Sequence, residues 1–198
     1  MKSPFQVVKD FEDALCEYTG SPYAVSVNSC TMALLLSCAW LKVGEVTIPR
    51  RTYVSVPQSI IHAGGFVKFE DFDWRGSYRL KPYPIWDSAR RFTSQMYRGG
   101  YECVSFHWNK ILGIQQGGAI LHSNSKADSW LRRARFDGRA EGTPPNRDKF
   151  KMLGWHCYLS PEVAAEGLVR LSHLPKHNPD MPNDDYPNLS LIDWNLMK

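Results

Sequence analysis

The chain contains 198 residues, 43% of them hydrophobic and 22% charged, a composition typical of a globular protein with one domain and a sizeable core. The net charge of +4 comes from scattered Lys and Arg side chains, so we expect no nucleic-acid-binding surface. No apolar run approaches the length of a membrane span, and the charged amphipathic segment near the N-terminus does not resemble a signal peptide, so we expect no membrane partner.

Predicted helices and strands alternate along the chain. In chain order, we expect a helix over 4–18, a strand over 23–27, a helix over 32–41, a strand over 46–48, a helix over about 53–62, a strand over 66–69, a polar loop over 74–82, strands near 84–86, 103–106 and 118–122, and helices near 126–136 and 161–173. The alternation predicts an α/β fold with a largely parallel sheet. Residues 175–198 contain four prolines and predict an extended arm, with a short strand at 189–192.

The five cysteines predict a reducing compartment. They are odd in number, include no C-x-x-C pair, and lie mostly in or beside apolar runs, where cysteine behaves as a small core residue. His173 and His177 are four residues apart but have no third ligand nearby in the sequence, so we expect no metal site. A cytoplasmic protein without structural disulfides is the resulting prediction.

A carboxylate and a lysine follow two predicted strands. Asp87 ends the apolar run that begins at Tyr83, and Lys110 lies just past the run that begins at Cys103. Such a pair suits pyridoxal phosphate (PLP), which needs a lysine amine for a Schiff base and a carboxylate against its pyridine nitrogen. Taken alone, an aspartate such as Asp87 is more often a helix cap than a ligand, and a lysine such as Lys110 is usually a surface amine.

The segment Asn28 to Thr31 lies where a predicted strand turns into a helix. A helix N-terminus offers free backbone N–H groups and the positive end of the helix dipole, which together suit a phosphate group. A plain N-cap is the alternative, because Ser and Thr favour that position without any ligand. Considered alone, Ser105 is expected to be an inconspicuous strand residue, Tyr53 a core residue and His156 a partly buried polar residue.

The order of these residues resembles the DegT/StrS family of sugar aminotransferases, which are PLP enzymes of the aspartate aminotransferase fold type (fold type I). Ser29-Cys30-Thr31 resembles the family's phosphate loop, Asp87-Ser88-Ala89 its pyridine segment, and Ser105 to Lys110 its lysine segment. Further matches, in family order, are Phe11-Glu12, Tyr23-Ala24-Val25, Ile48-Pro49 with Tyr53, Gln116-Gly117-Gly118-Ala119, and Gly154 to Tyr158.

The resemblance implies a three-layer α/β/α large domain with a mostly parallel sheet, formed by residues 1–174, followed by the Pro-rich arm of residues 175–198. The family is much longer, so the chain is expected to be a strongly shortened member that lacks most of the small C-terminal domain. The implied activity is transfer of an amino group from an amino acid, usually glutamate, to a keto-sugar or sugar nucleotide. A degenerate, non-catalytic PLP-binding or interaction protein of the same family is the alternative.

The resemblance also implies a role for each matching residue. Lys110 would form the internal aldimine and move the substrate's proton, and Asp87 would pair with the pyridine nitrogen. The phosphate would accept hydrogen bonds from the backbone amides of Cys30 and Thr31 and from the hydroxyls of Thr31 and Ser105. The ring of Tyr53 would stack on the plane of the cofactor. The family's sites form across a homodimer interface, where the position of His156 reaches the partner's phosphate.

Two positions depart from the family pattern. Arg90 stands where the family usually has Gln or His in contact with the cofactor's O3′, and His156 stands where it has Asn. We expect Arg90 to approach the same oxygen, unless it points outward and Arg91 or solvent takes its place.

Overall fold

A computed structural model describes residues 5–183 and 185–194. Five α-helices and seven strands lie in these ranges. They are α1 (Gln6–Thr19), β1 (Tyr23–Val27), α2 (Cys30–Leu41), β2 (Glu45–Pro49), α3 (Ser55–His62), β3 (Phe66–Glu70), β4 (Tyr78–Leu80), β5 (Ile85–Asp87), β6 (Tyr101–Ser105), β7 (Gly118–His122), α4 (Ser125–Ala134) and α5 (Pro161–His173), with 3-10 turns at Pro145–Arg147 and Leu189–Leu191.

The strands form a five-stranded sheet in the order β1-β7-β6-β5-β4 and a parallel pair, β2-β3. An antiparallel bridge between Thr47 and Lys81, closed by backbone hydrogen bonds of 2.8 and 3.1 Å, connects β2 to the end of β4. Five strands therefore run in one direction, as the fold class predicts. Since β4 and β7 run the opposite way, β6 and β5 form the one parallel neighbouring pair within the five-stranded sheet.

Helices cover both faces of the sheet, which confirms the predicted α/β/α layering. One core cluster contains α2 together with Val25, Val27 and Ile120 from the strands, whereas the other contains the apolar faces of α1 and α5 with Ala24 and Leu121. Alternate residues of β1 and β7 thus point to opposite layers. α2 is apolar around its whole circumference because it is enclosed between the sheet and its helical neighbours α3 and α4.

Two local expectations were wrong. The segment predicted as a polar loop over 74–82 contains β4, which pairs antiparallel with β5 and buries Tyr78 and Leu80. The strand expected at 189–192 is a 3-10 turn, because the side chain of Asn188 accepts a hydrogen bond from Ser190 N at 3.1 Å and curls the backbone. The described part of this segment, residues 175–183 and 185–194, otherwise contains no helix or strand.

Candidate active site

One cavity of about 350 Å³ lies beyond the carboxyl ends of β1, β5 and β6. These three strands run in the same direction, so the residues that follow them meet at one edge of the sheet, where open α/β sheets commonly bind ligands. The cavity is lined by seven of the predicted site residues: Cys30, Thr31, Tyr53, Asp87, Arg90, Ser105 and Lys110.

Asp87 is buried at the end of β5, with both carboxylate oxygens held by hydrogen bonds. Oδ1 accepts from the backbone N–H of Ala89 at 3.0 Å, and Oδ2 accepts from the hydroxyl of Tyr78 at 2.8 Å. Burial raises the pKa of the Asp87 carboxyl, and these two donors together with the charge of Lys110 oppose that rise. A cationic N–H group in the cavity would therefore meet an acceptor that is oriented and poorly solvated.

Lys110 lies in the loop after β6, with its backbone N–H bonded to the carbonyl of His107 at 2.8 Å. Its side chain is half-buried in the cavity wall. Burial lowers the pKa of the Lys110 amine, and the nearby guanidinium of Arg90 lowers it further. Both effects increase the fraction of neutral amine, the form that attacks a carbonyl.

Arg90 is only 4% exposed and lines the cavity, whereas Arg91 is directed to an ion pair with Asp180 at 2.9 Å. The outward orientation considered for Arg90 is therefore wrong. Arg90 Nε donates to the hydroxyl of Tyr186 at 3.2 Å, and Nη1 donates to the carbonyl of Pro182 at 2.7 Å. The C-terminal segment thus supplies polar partners for a buried cation.

The first turn of α2 forms the wall opposite these charged groups. Ser29 is the N-cap, and its hydroxyl accepts from Met32 N at 3.2 Å, so the plain-cap reading of this residue is correct. The first N–H groups of a helix have no partner within the helix, and they can bind a phosphate at the same time as the cap is made. A Cβ at Gly118 would lie 2.6 Å from Cys30 N, so glycine permits the close contact between β7 and this turn.

The hydroxyls of Thr31 and Ser105 also border the cavity. Thr31 Oγ1 donates to Ser55 Oγ at 2.8 Å and would bind an anion by turning this proton toward it, while Ser105 Oγ accepts from His107 N at 3.4 Å and keeps its own proton to donate. A chain of small donors therefore extends from the start of α2 to the end of β6. This donor set fits a phosphate ester.

Aromatic side chains form the mouth of the cavity. Tyr53 is 58% exposed, and its ring centroid lies 6.5 Å from that of Tyr186, which in turn stacks on Trp74 at 6.3 Å. Tyr53 is thus a surface residue of the cavity, not the packed core residue that its type alone favours. Its ring is free to contact a flat ligand.

His156 does not line the cavity. Its side chain is 71% exposed and bonds through Nδ1 to Asp137 Oδ2 at 2.9 Å, with Tyr158 packed edge-on against the ring. Within this chain, therefore, His156 does not join the other predicted residues.

Several cavity residues were not predicted from the sequence. They are Thr52, Ser55, Trp74 and Tyr186, whereas Asn28, Asn109 and Gln116 lie in segments already named from the sequence. Thr52 and Ser55 flank Tyr53, so their proximity could have been inferred from it. Trp74 and Tyr186 carry no such signal, since they reach the cavity by long-range packing of segments without regular structure.

Within residues 5–183 and 185–194, no helix combines the length and apolar character that crossing a membrane requires. The same residues contain no group of three or more His, Cys, Asp and Glu side chains that could hold a metal ion. The five cysteines are free thiols, four of them buried.

Two curated relatives cover 86% of this chain. They are GDP-perosamine synthase of Caulobacter vibrioides, 24% identical, and UDP-4-amino-4,6-dideoxy-N-acetyl-beta-L-altrosamine transaminase of Campylobacter jejuni, 26% identical. The chain spans 57% of the length of each.

A solved structure, that of AtS13 from Actinomadura melliaura, shares the fold with a TM-score of 0.75 and 21% identity, over 87% of this chain and 61% of that one. The model of the DegT/DnrJ/EryC1/StrS aminotransferase family matches residues 3–96, which include the first turn of α2, Tyr53, Asp87 and Arg90. The predicted resemblance of this chain to the DegT/DnrJ/EryC1/StrS aminotransferase family is confirmed.

Proposed function

We propose that this chain binds PLP and acts as an aminotransferase, with residues 1–174 forming the PLP-binding large domain and residues 175–198 the C-terminal arm. The observation that carries the proposal is that Lys110, Asp87 and the first turn of α2 line one cavity. These are the amine, the carboxylate and the phosphate-binding N–H groups that the cofactor requires. When bound, PLP supplies an electron sink for the carbanion at the substrate's α carbon.

In this proposal Lys110 holds the cofactor covalently and then, as a free amine, moves the proton at the substrate's α carbon. Its lowered pKa suits both tasks, because each requires the neutral amine. Asp87 accepts a hydrogen bond from the pyridine N–H, and its charge keeps that nitrogen protonated. Arg90 takes the place beside the O3′ oxygen, where its charge favours the phenolate.

The remaining predicted contacts concern binding. Backbone N–H groups of Cys30 and Thr31, with the hydroxyls of Thr31 and Ser105, hold the phosphate, and the ring of Tyr53 packs against the cofactor plane. The polar lining described above supports these assignments.

For the substrates, we propose glutamate as amino donor and a keto-sugar, attached to a nucleotide, as acceptor. The names of the two curated relatives support this class, since one is a GDP-sugar synthase and the other a UDP-sugar transaminase. Such a role belongs to sugar nucleotide biosynthesis. The free thiols are in keeping with action in the cytoplasm.

We further propose a homodimer in which His156 contacts the phosphate bound by the partner subunit. The support is that the His156 side chain is exposed and does not line the chain's own cavity. Mixing Lys110→Ala with His156→Ala subunits tests the shared site, because a heterodimer then contains one intact site. Recovery of PLP binding above that of either variant alone supports sharing, and no recovery in a confirmed heterodimer contradicts it.

Activity is tested by adding glutamate to the PLP-loaded protein and measuring 2-oxoglutarate, with Asp87→Asn as the matched variant. We expect one equivalent of 2-oxoglutarate per site in the wild type and a strongly depressed rate in Asp87→Asn, because an amide cannot keep the pyridine nitrogen protonated. Bound PLP without any product would favour the non-catalytic alternative, which the named transaminase relative does not support.

A further inference from the structure

Asp87 is one end of a buried chain of hydrogen bonds that includes Tyr78, which lies outside the family motifs, and Thr52, which precedes Tyr53. Tyr78 Oη lies 2.8 Å from Asp87 Oδ2, and Thr52 Oγ1 lies 2.7 Å from Tyr78 Oη. All three residues are buried, with Thr52 1% exposed. Burial limits the access of solvent to these groups, so each proton in the chain has a defined acceptor.

The direction of the hydrogen bonds follows from the number of protons. An ionised carboxylate only accepts hydrogen bonds, so the hydroxyl of Tyr78 is the donor in its hydrogen bond with Asp87. Tyr78 then has no second proton, and Thr52 must donate in the bond between the two hydroxyls. Each carboxylate oxygen accepts more than one bond, which leaves room on Asp87 for a further N–H donor from the cavity.

The sheet register explains why Tyr78 reaches this carboxylate. Tyr78 of β4 is the direct antiparallel partner of Asp87 in β5, so the two side chains lie on the same face. The ring is held in place by an edge-on contact with Trp74 at 4.6 Å between centroids. Tyr78 is therefore a donor in a fixed position, and it lies on the short strand β4, where a loop was expected.

We propose that Tyr78, supported by Thr52, is a positioning residue that fixes the carboxylate plane of Asp87 for the pyridine nitrogen of PLP. The torsion about the final bond of an aspartate is broad, so one bond from Ala89 leaves the carboxylate plane loosely defined. The second bond, from Tyr78, fixes it. This inference rests on the proposed PLP site, but the bond between Tyr78 and Asp87 exists independently of any cofactor.

The first test uses the protein without cofactor. The carboxyl carbon of Asp87 is followed by NMR during a pH titration of the wild type, Tyr78→Phe and Tyr101→Phe. Tyr101→Phe is the matched control, because its buried hydroxyl accepts from Trp40 Nε1 at 2.6 Å, away from Asp87. We expect the Asp87 midpoint to rise in Tyr78→Phe alone, and an unchanged midpoint would overturn the proposal.

The second test adds PLP. We expect Tyr78→Phe to bind PLP roughly tenfold more weakly, the effect of losing one hydrogen bond to a charged group. We also expect the 15N resonance of the labelled pyridine nitrogen to move toward its unprotonated position. Wild-type affinity and resonance in Tyr78→Phe, despite a shifted Asp87 midpoint, would overturn the positioning role.

Thr52 provides a second pair of variants if Tyr78→Phe does not fold. Thr52→Val removes the donor to Tyr78 and should shift the Asp87 midpoint in the same direction by less, while Thr52→Ser should restore it; equal midpoints in both would overturn the proposal. Failure of the wild type to bind PLP would disprove the proposed function and the positioning role toward PLP together. The cofactor-free titration would still decide whether Tyr78 bonds to Asp87, so the two failures are distinguishable.

Discussion

Arg90 Nε donates a hydrogen bond to the hydroxyl of Tyr186, 96 positions later in the chain, across 3.2 Å. The guanidinium also lies over the Tyr186 ring, 5.7 Å from its centroid. The C-terminal segment therefore helps to form the wall of the cavity that contains Asp87 and Lys110.

Tyr186→Phe should lower the free energy of unfolding by about 1.5 kcal/mol, because a buried cation loses one of its acceptors. Chemical denaturation measures this change. Tyr53→Phe is the control: its ring is exposed, and the change should stay within about 0.5 kcal/mol. Equal stabilities of the Tyr186 variant and the control would show that the bond to Arg90 contributes nothing.

Arg90→Gln should raise the pKa of Lys110 toward its ordinary value, since the variant removes a positive charge that disfavours the protonated amine. The pH dependence of Lys110 acylation, followed by peptide mapping of the protein without cofactor, measures this shift. Arg91→Gln removes an equal charge whose guanidinium is paired with Asp180 at 2.9 Å, and it should have less effect. An equal midpoint of Lys110 acylation in the wild type and in Arg90→Gln would show that the charge of Arg90 does not affect the Lys110 amine.

Gly118→Ala should destabilise the protein and weaken phosphate binding. The added Cβ would lie 2.6 Å from Cys30 N and 2.7 Å from Val104 O, so the backbone of β7 and the first turn of α2 must separate. Gly44→Ala is the matched control, because its nearest neighbour is Tyr83 Oη at 3.5 Å. Inorganic phosphate binding, measured by calorimetry, should be retained in Gly44→Ala and lost in Gly118→Ala; retention in both would contradict the close contact.

A buried ion pair network connects the start of the chain to α4. Glu12 Oε2 lies 2.5 Å from Arg132 Nη1, and Glu12 Oε1 pairs with the fully buried Arg135. Burial alone would raise the pKa of Glu12, but the two arginines outweigh it and lower the pKa below its usual value. Stability from this carboxylate is therefore present above the ordinary glutamate pKa and is lost as pH falls through the lowered value.

Glu12→Gln should cost about 3 kcal/mol of unfolding free energy at pH 7, since the buried Arg135 loses the more buried of its two carboxylate partners and keeps only Glu141 at 3.1 Å. The variant should also lose part of the acid dependence seen in wild-type denaturation curves. Glu166→Gln breaks an exposed pair with Arg170 at 3.4 Å and should change stability by less than about 0.5 kcal/mol. Similar losses in both variants would contradict the role of burial.

Much of the fold could be predicted where local signals were strong. The helix over 161–173 was predicted to the residue, because Ser160 caps it and Pro161 occupies its first turn. β4 has only three residues, too few for alternation to be recognised, and it depends on pairing with β5. At 189–191 the apolar pattern suggested a strand, but only Leu189 of this turn is buried.

The residues of the candidate site also differ in whether their position could be predicted from the sequence. Asp87, Lys110 and the start of α2 follow strands whose direction brings their ends together, so their convergence could be predicted. The position of Tyr186 in the cavity could not be predicted, because it depends on long-range packing of the C-terminal segment. Tyr78 was missed together with the strand that carries it.

Covalent attachment of PLP to Lys110 tests the central claim most directly. The protein is loaded with PLP, reduced with borohydride, digested and mapped by mass spectrometry, with Lys110→Ala treated in parallel. We expect one reduced pyridoxyl group per chain on the peptide that contains Lys110, and none in the variant. A modification at another lysine, or an equal yield from Lys110→Ala, would contradict the assignment.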